Sequence, residues 1–151
     1  MSKLLIIYHS QSDRTEQLAR AVFTGAQQEH QVDSRLIRAF DATLEDLLWC
    51  NGLIFGTPEN FGYMSGALKD FFDRTFYPAE PYQLNLPYGV FISAGNDGTG
   101  ALREIERIAL GYPMRKVADA VIVKGEPDKE DINRCTELGL AMAAGLNLGI
   151  F

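Results

Sequence analysis

Two kinds of hydrophobic pattern alternate along the chain. Residues 3–8, Lys-Leu-Leu-Ile-Ile-Tyr, form a nearly continuous apolar run. It is too short for a helix and suits a strand buried on both faces. From Asp13 the apolar positions recur at helical spacing, with Leu18, Ala19, Val22, Phe23 and Ala26 on one face. Asp13 and Glu16 fall in the first turn, where carboxylates favour the positive end of a helix. Residues 32–37 alternate apolar and polar and predict a less fully buried strand. Residues 43–49 predict a short helix with Thr43 as its candidate cap, and residues 52–56 a short apolar strand. The cycle then repeats. A helix over 65–77 turns Leu68, Phe71, Phe72 and Thr75 inward, and residues 88–94 form a strand. Ala101, Leu102, Ile105, Ile108 and Ala109 mark a fourth helix. Residues 118–123 are the last strand, and residues 128–147 the last helix, with Ile132, Cys135, Leu138 and Met142 inward.

Strict alternation of short apolar strands with helices predicts an α/β domain of three layers, a parallel sheet with helices on both faces. Right-handed crossovers leave few topologies. Five such strands suit the order 2-1-3-4-5. No linker or repeat divides the chain, so residues 1–151 are expected to form one domain. The composition, 46% hydrophobic and 23% charged, is that of a globular chain. The net charge of −6 argues against sequence-independent nucleic-acid binding, which needs a basic footprint. No apolar run approaches the roughly 18 residues of a membrane span, and the start lacks the long apolar stretch of a secretory signal. Cys50 and Cys135 stand far apart, and with only two histidines a zinc site is not expected. Reduced thiols in a cytoplasmic chain are the expectation.

In such sheets ligands bind beyond the carboxyl ends of the strands, near the point where the strand order reverses. Three loops lie there. The first is Ser10-Gln11-Ser12-Asp13-Arg14-Thr15, between a buried strand and a helix. Free N–H groups at a helix start hold phosphate, and Ser10, Ser12 and Thr15 add hydroxyls. Helix capping accounts for one hydroxyl residue, not three. Asp13 then has to point away from phosphate or pair with Arg14. His9, beside this loop, is either a phosphate partner or a structural histidine. The second loop runs from Gly56 through Thr57, Pro58, Glu59, Asn60, Phe61, Gly62, Tyr63 and Met64 to Ser65 and Gly66. Its glycines free the backbone, while Phe61, Tyr63 and Met64 offer flat or adaptable apolar contact to a planar heterocycle. The third, Ser93-Ala94-Gly95-Asn96-Asp97-Gly98 with Thr99 and Gly100, exposes backbone donors to a ring edge or is a tight strand-to-helix turn. Trp49 and His30 read as packing and surface.

These three loops together resemble the flavodoxin-like flavoprotein family. The first is similar to its FMN-phosphate loop, with Asp13 and Arg14 where that family usually carries Gly-Asn. The stretch from Gly56-Thr57-Pro58 through Phe61-Gly62, Met64-Ser65-Gly66-Ala67-Leu68-Lys69-Asp70-Phe71 and Asp73-Arg74 resembles the segment bordering the isoalloxazine in NAD(P)H-dependent FMN and quinone reductases. Ser93 to Gly98 resembles the third flavin loop. The resemblance covers nearly the whole chain. It implies a flavodoxin-like fold, FMN held by Ser10–Thr15, Thr57–Met64 and Ser93–Gly98, NAD(P)H as candidate co-substrate, and a small-molecule acceptor or redox protein as partner. It implies neither a protein catalytic residue nor a metal, because the cofactor carries the chemistry. A flavodoxin-type electron carrier and a binding module without flavin are the alternatives on the same fold. A phosphoacceptor receiver is excluded, since His9-Ser10 and Gly56-Thr57 stand where it needs carboxylates. The chain is expected as a monomer or homo-oligomer, with no nucleic acid or membrane as partner.

Overall fold

A computed structural model describes residues 1–151. The chain runs β1 (Ser2–Tyr8), α1 (Asp13–Gln27), β2 (Val32–Arg38), α2 (Leu44–Trp49), β3 (Gly52–Pro58), α3 (Gly66–Ala79), a 3-10 turn (Glu80–Tyr82), β4 (Leu86–Ala94), α4 (Thr99–Gly111), β5 (Met114–Lys116), β6 (Val121–Lys124) and α5 (Lys129–Leu148). The strand order is β2-β1-β3-β4-β5, with β6 also on β4. Every pairing is parallel. All carboxyl ends therefore lie on one edge, where the three loops leave the sheet.

One strand departs from expectation. The single strand anticipated over 118–123 is two short pieces sharing the fifth position. β5 pairs with Leu86–Tyr88 and β6 with Phe91–Ala94. After β5 only the Val117 N–H still reaches the Tyr88 carbonyl, and the chain leaves the ladder until Val121. At an edge such a break limits the row of unpaired backbone groups. β3 also runs two residues further than the apolar run suggests, to Pro58, because Thr57 is buried within it. α3 continues to Ala79 and takes Pro78 into its last turn.

Alternate residues of β1 divide the core. Leu4 and Ile6 face α1 and α5, and Leu5 and Ile7 face the layer of α2, α3 and α4. All four are fully buried, as the unbroken apolar run requires. α1 and α5 touch backbone to backbone: a Cβ on Gly139 would lie 1.9 Å from the Val22 carbonyl oxygen. On the other face, α3 and α4 diverge around a groove of about 550 Å³ lined in part by Phe72 and Phe76. Trp49 is half-buried with the Arg35 guanidinium 3.8 Å above its ring centroid, which is packing. Both cysteines are buried and unpaired, and burial pushes each thiol up to about 12.

Candidate functional site

The first loop leaves β1 at Tyr8 and starts α1 at Asp13. Ser12 is the N-cap, its hydroxyl oxygen accepting from the Arg14 N–H at 3.5 Å. Ser10 is used within the loop: its hydroxyl donates to the Ser12 carbonyl and accepts from the Glu16 N–H at 3.1 Å. Of the three hydroxyls expected to face a phosphate, Ser10 is thus engaged, Thr15 is buried, and Ser12 keeps its proton free to donate. The N–H groups of Asp13 and Thr15 have no partner within the chain. They are the unpaired donors of a helix start, and such donors bind anions.

Asp13 is exposed and accepts from the Gln17 side chain at 2.9 Å. It lines the same bowl as Ser10, Gln11 and Ser12 and does not pair with Arg14. Arg14 instead reaches Glu126, after β6, at 3.2 Å. Beneath the loop, Glu16 accepts from the Tyr8 hydroxyl at 3.0 Å and from Arg20 at 2.7 Å, so its charge is matched. Burial and the Glu16 hydrogen bond together raise the Tyr8 phenol above its ordinary value. His9 is half-buried and packs edge-on against Phe40. Burial lowers its pKa below the usual 6.5, so it is neutral at pH 7 and adds no charge to an anion site.

The second loop folds back on itself. Asn60 and Tyr63 exchange backbone hydrogen bonds at 2.8 and 2.9 Å, closing a turn with Phe61 at φ 52° and Gly62 at φ 72°. Two positive φ angles mark a type I′ turn, in which a glycine is at ease and a phenylalanine is not. The Phe61 ring stands fully exposed at the tip. Tyr63 is half-buried. Met64, expected against a ring, is buried in the α3 and α4 layer: Ser65 caps α3 at once and draws its neighbour into the core. The Thr57 hydroxyl is likewise internal, donating to the Pro58 carbonyl and accepting from the Ser65 N–H.

In the third loop Ser93 and Ala94 are buried at the end of β4, while Gly95, Asn96 and Asp97 are exposed. Asp97 accepts from the N–H and the hydroxyl of Thr99. The backbone hydrogen bond and then the hydroxyl hold its carboxyl below the usual carboxylate range. Gly98 has φ 75°, and a Cβ there would lie 2.6 Å from Ile122.

The three loops are joined through the second. Asn60 donates to the Gln11 side chain at 2.7 Å, which ties it to the first. Glu59 ties it to the third: one carboxylate oxygen accepts from the Gly98 N–H at 3.2 Å, the other from those of Gly100 and Ala101 at 3.1 and 3.2 Å. The Glu59 N–H donates to the Ser93 carbonyl at 2.9 Å. Sequence reasoning placed Glu59 in the loop without a side-chain role, because its partners are backbone groups about 40 residues away.

What this edge offers is an open polar bowl lined by Ser10, Gln11, Ser12, Asp13, Glu16 and Arg20, with unpaired backbone N–H groups at the helix start, and beside it an exposed aromatic turn and an exposed glycine-bearing loop. A monophosphate on a chain leading to a flat heterocycle fits that donor set.

Residues 27–127 match the family model described as NADPH-dependent FMN reductase, well over half of the chain. A flavodoxin of Aquifex aeolicus is 40% identical over 73 residues, covering 48% of this chain and 40% of the relative. An NAD(P)H dehydrogenase (quinone) of Acidithiobacillus ferrooxidans is 36% identical over 95 residues, covering 50% of this chain and 48% of the relative. The chain thus spans less than half the length of these curated relatives. Among solved structures, a flavodoxin from the domain Archaea superposes with a TM-score of 0.82 at 23% identity, over 96% of this chain and 99% of that one. A WrbA-like protein from Agrobacterium tumefaciens gives 0.79 at 21% identity, over 98% and 99%. These two likenesses establish a flavodoxin-like fold. The second and third loops lie inside the matched segment and the first lies before it; on that match the chain belongs to the NADPH-dependent FMN reductase family.

Proposed function

We propose that this chain binds FMN at the carboxyl edge of its sheet and acts as an NAD(P)H-dependent oxidoreductase that reduces a quinone, a flavin or a similar small acceptor. The observation that carries the reading is the convergence of the three loops: Asn60 on Gln11 and Glu59 on the start of α4 bring an anion-binding helix start and an aromatic turn to one edge. FMN, when bound, accepts a hydride and passes electrons on. The chain's own residues bind and orient it. The Ser12 hydroxyl and the N–H groups of Asp13 and Thr15 hold the phosphate, and the turn from Asn60 to Tyr63 and the backbone of Gly95 to Asp97 border the ring. The open edge leaves room for a nicotinamide or an acceptor to approach. Two buried, unpaired cysteines suit a reducing compartment, and the cytoplasm is the proposed location.

A carrier reading has its own support. The chain superposes on an archaeal flavodoxin over 96% of its length, and the alternative is that it passes electrons between partners without a nicotinamide site of its own. One assay separates the two. The FMN-loaded protein is mixed with NADH or NADPH and a quinone, and nicotinamide oxidation is followed. Catalytic turnover establishes the oxidoreductase. A protein that holds FMN yet leaves both nicotinamides unoxidised is a carrier.

A further inference from the structure

Glu59 is half-buried at the junction of the second and third loops. Its carboxylate spans the start of α4 with three hydrogen bonds, at 3.1 to 3.2 Å, from the N–H groups of Gly98, Gly100 and Ala101. Those donors are therefore closed to any ligand, and the anion offsets the positive helix end. A second observation marks the same junction. A Cβ on Gly100 would lie 2.1 Å from the Gly62 carbonyl oxygen, so the turn that presents Phe61 is pressed onto the backbone of α4. The loops are held together from both sides of this contact.

We propose that Glu59 is a positioning residue for the flavin ring: by gripping the start of α4 it sets the separation between the aromatic turn and the third loop, and so shapes the ring end of the site. The inference rests on the FMN reading. Its chemistry is specific to a carboxylate. Both oxygens accept, and donors approach both. A glutamine in the same place turns an NH2 towards either Gly98 or the Gly100 and Ala101 pair, setting donor against donor. The junction must then open on one side.

The test compares wild type, Glu59→Gln and Ser12→Ala with FMN and with riboflavin, which lacks the phosphate. Affinity, the visible absorption band of the bound flavin and thermal unfolding are recorded. Glu59→Gln is expected to weaken FMN and riboflavin by the same factor, about tenfold, and to alter the absorption band, whereas Ser12→Ala weakens FMN alone. Gly100→Ala wedges the same contact open while keeping the carboxylate itself and is expected to follow Glu59→Gln; it carries the test if Glu59→Gln does not fold. A Glu59→Gln protein with a lowered melting temperature but unchanged affinities and spectrum overturns the proposal and leaves the FMN reading intact. A wild type that binds neither flavin overturns the FMN reading, and the proposal with it.

Discussion

The two ends of the candidate site are built in opposite ways. At the first loop the chain is tied by exposed side chains: Asn60 to Gln11, and Arg14 to Glu126. Exposed pairs of this kind contribute little, about 0–1 kcal/mol each. The backbone N–H groups of residues 10–13 and of Thr15 are left over for a ligand. At the second and third loops the chain is tied through backbone: three N–H groups on Glu59, the Asn60–Tyr63 turn, and the Gly62 carbonyl against Gly100. What stays unpaired there includes the turn at Phe61 and Gly62 and the exposed backbone from Gly95 to Asp97. An anion is held by donors that were waiting for it, so that end is expected to order when phosphate arrives. A flat ring gains most from a surface already in place, because preorganisation lowers the ordering cost of binding. The rigid end is thus suited to the heterocycle and the loose end to the phosphate.

Substitutions can break this contrast. The largest effect is expected at Gly98, where φ is 75° and a Cβ would meet Ile122 at 2.6 Å. Gly98→Val combines an unfavourable backbone with a clash, and unfolding experiments should show a loss of about 2–4 kcal/mol. Riboflavin and FMN binding should fall together.

At the other end, replacing Ser10 and Ser12 by alanine together should weaken FMN by about 1.5–3 kcal/mol, nearly all of it from Ser12, by calorimetric titration, and spare riboflavin. Ser10→Ala alone should act mainly on stability, because its hydroxyl serves the Glu16 N–H and the Ser12 carbonyl. Equal losses for both flavins would erase the distinction between the ends.

Asp13→Asn is expected to do less. The carboxylate faces solvent and Gln17, and asparagine accepts the same bond. FMN should bind equally well or more tightly, with helix stability lowered by about 0.3–1 kcal/mol at most. Added salt should narrow any affinity difference. Markedly weaker binding would show that the carboxylate helps the ligand.

Acid offers the mildest perturbation. Hydrogen bonds from Thr99 depress the Asp97 carboxyl, and those from Asp131 and its neighbours depress Asp128 at the start of α5. A depressed carboxylate stabilises the fold above its unfolded pKa, about 3.9 for Asp, and the contribution is lost as pH falls through the lower folded value. Amide-exchange protection at Thr99 and Asp131 should therefore hold down to about pH 4 and decline below it.

The strands were readable wherever burial on both faces removed polar residues, as in β1 and β4. β5 and β6 escaped because a broken edge strand has no continuous run: Arg115 and Lys116 face outward, and the ladder lapses before Val121. At the site, the placement of three loops on one edge followed from the βα order alone. Which side chains point out did not. Met64 and Phe61 look alike in sequence, yet one is core and the other fully exposed, because the Ser65 cap and the turn at Gly62 decide the direction. Glu59 carried no local signal, since hydrogen bonds to distant backbone leave no spacing to detect.

The claim on which the rest stands is that this edge holds FMN through both ends at once. Titrating the purified apoprotein with FMN, riboflavin and FAD, followed by flavin fluorescence, tests it most directly. One FMN per chain is expected, bound more tightly than riboflavin, because the α1 donors add the phosphate, and more tightly than FAD, because one phosphate is what the first loop accommodates. Riboflavin binding as well as FMN would contradict the phosphate end, FAD binding more tightly would contradict the single-phosphate site, and no flavin binding at all would contradict the account.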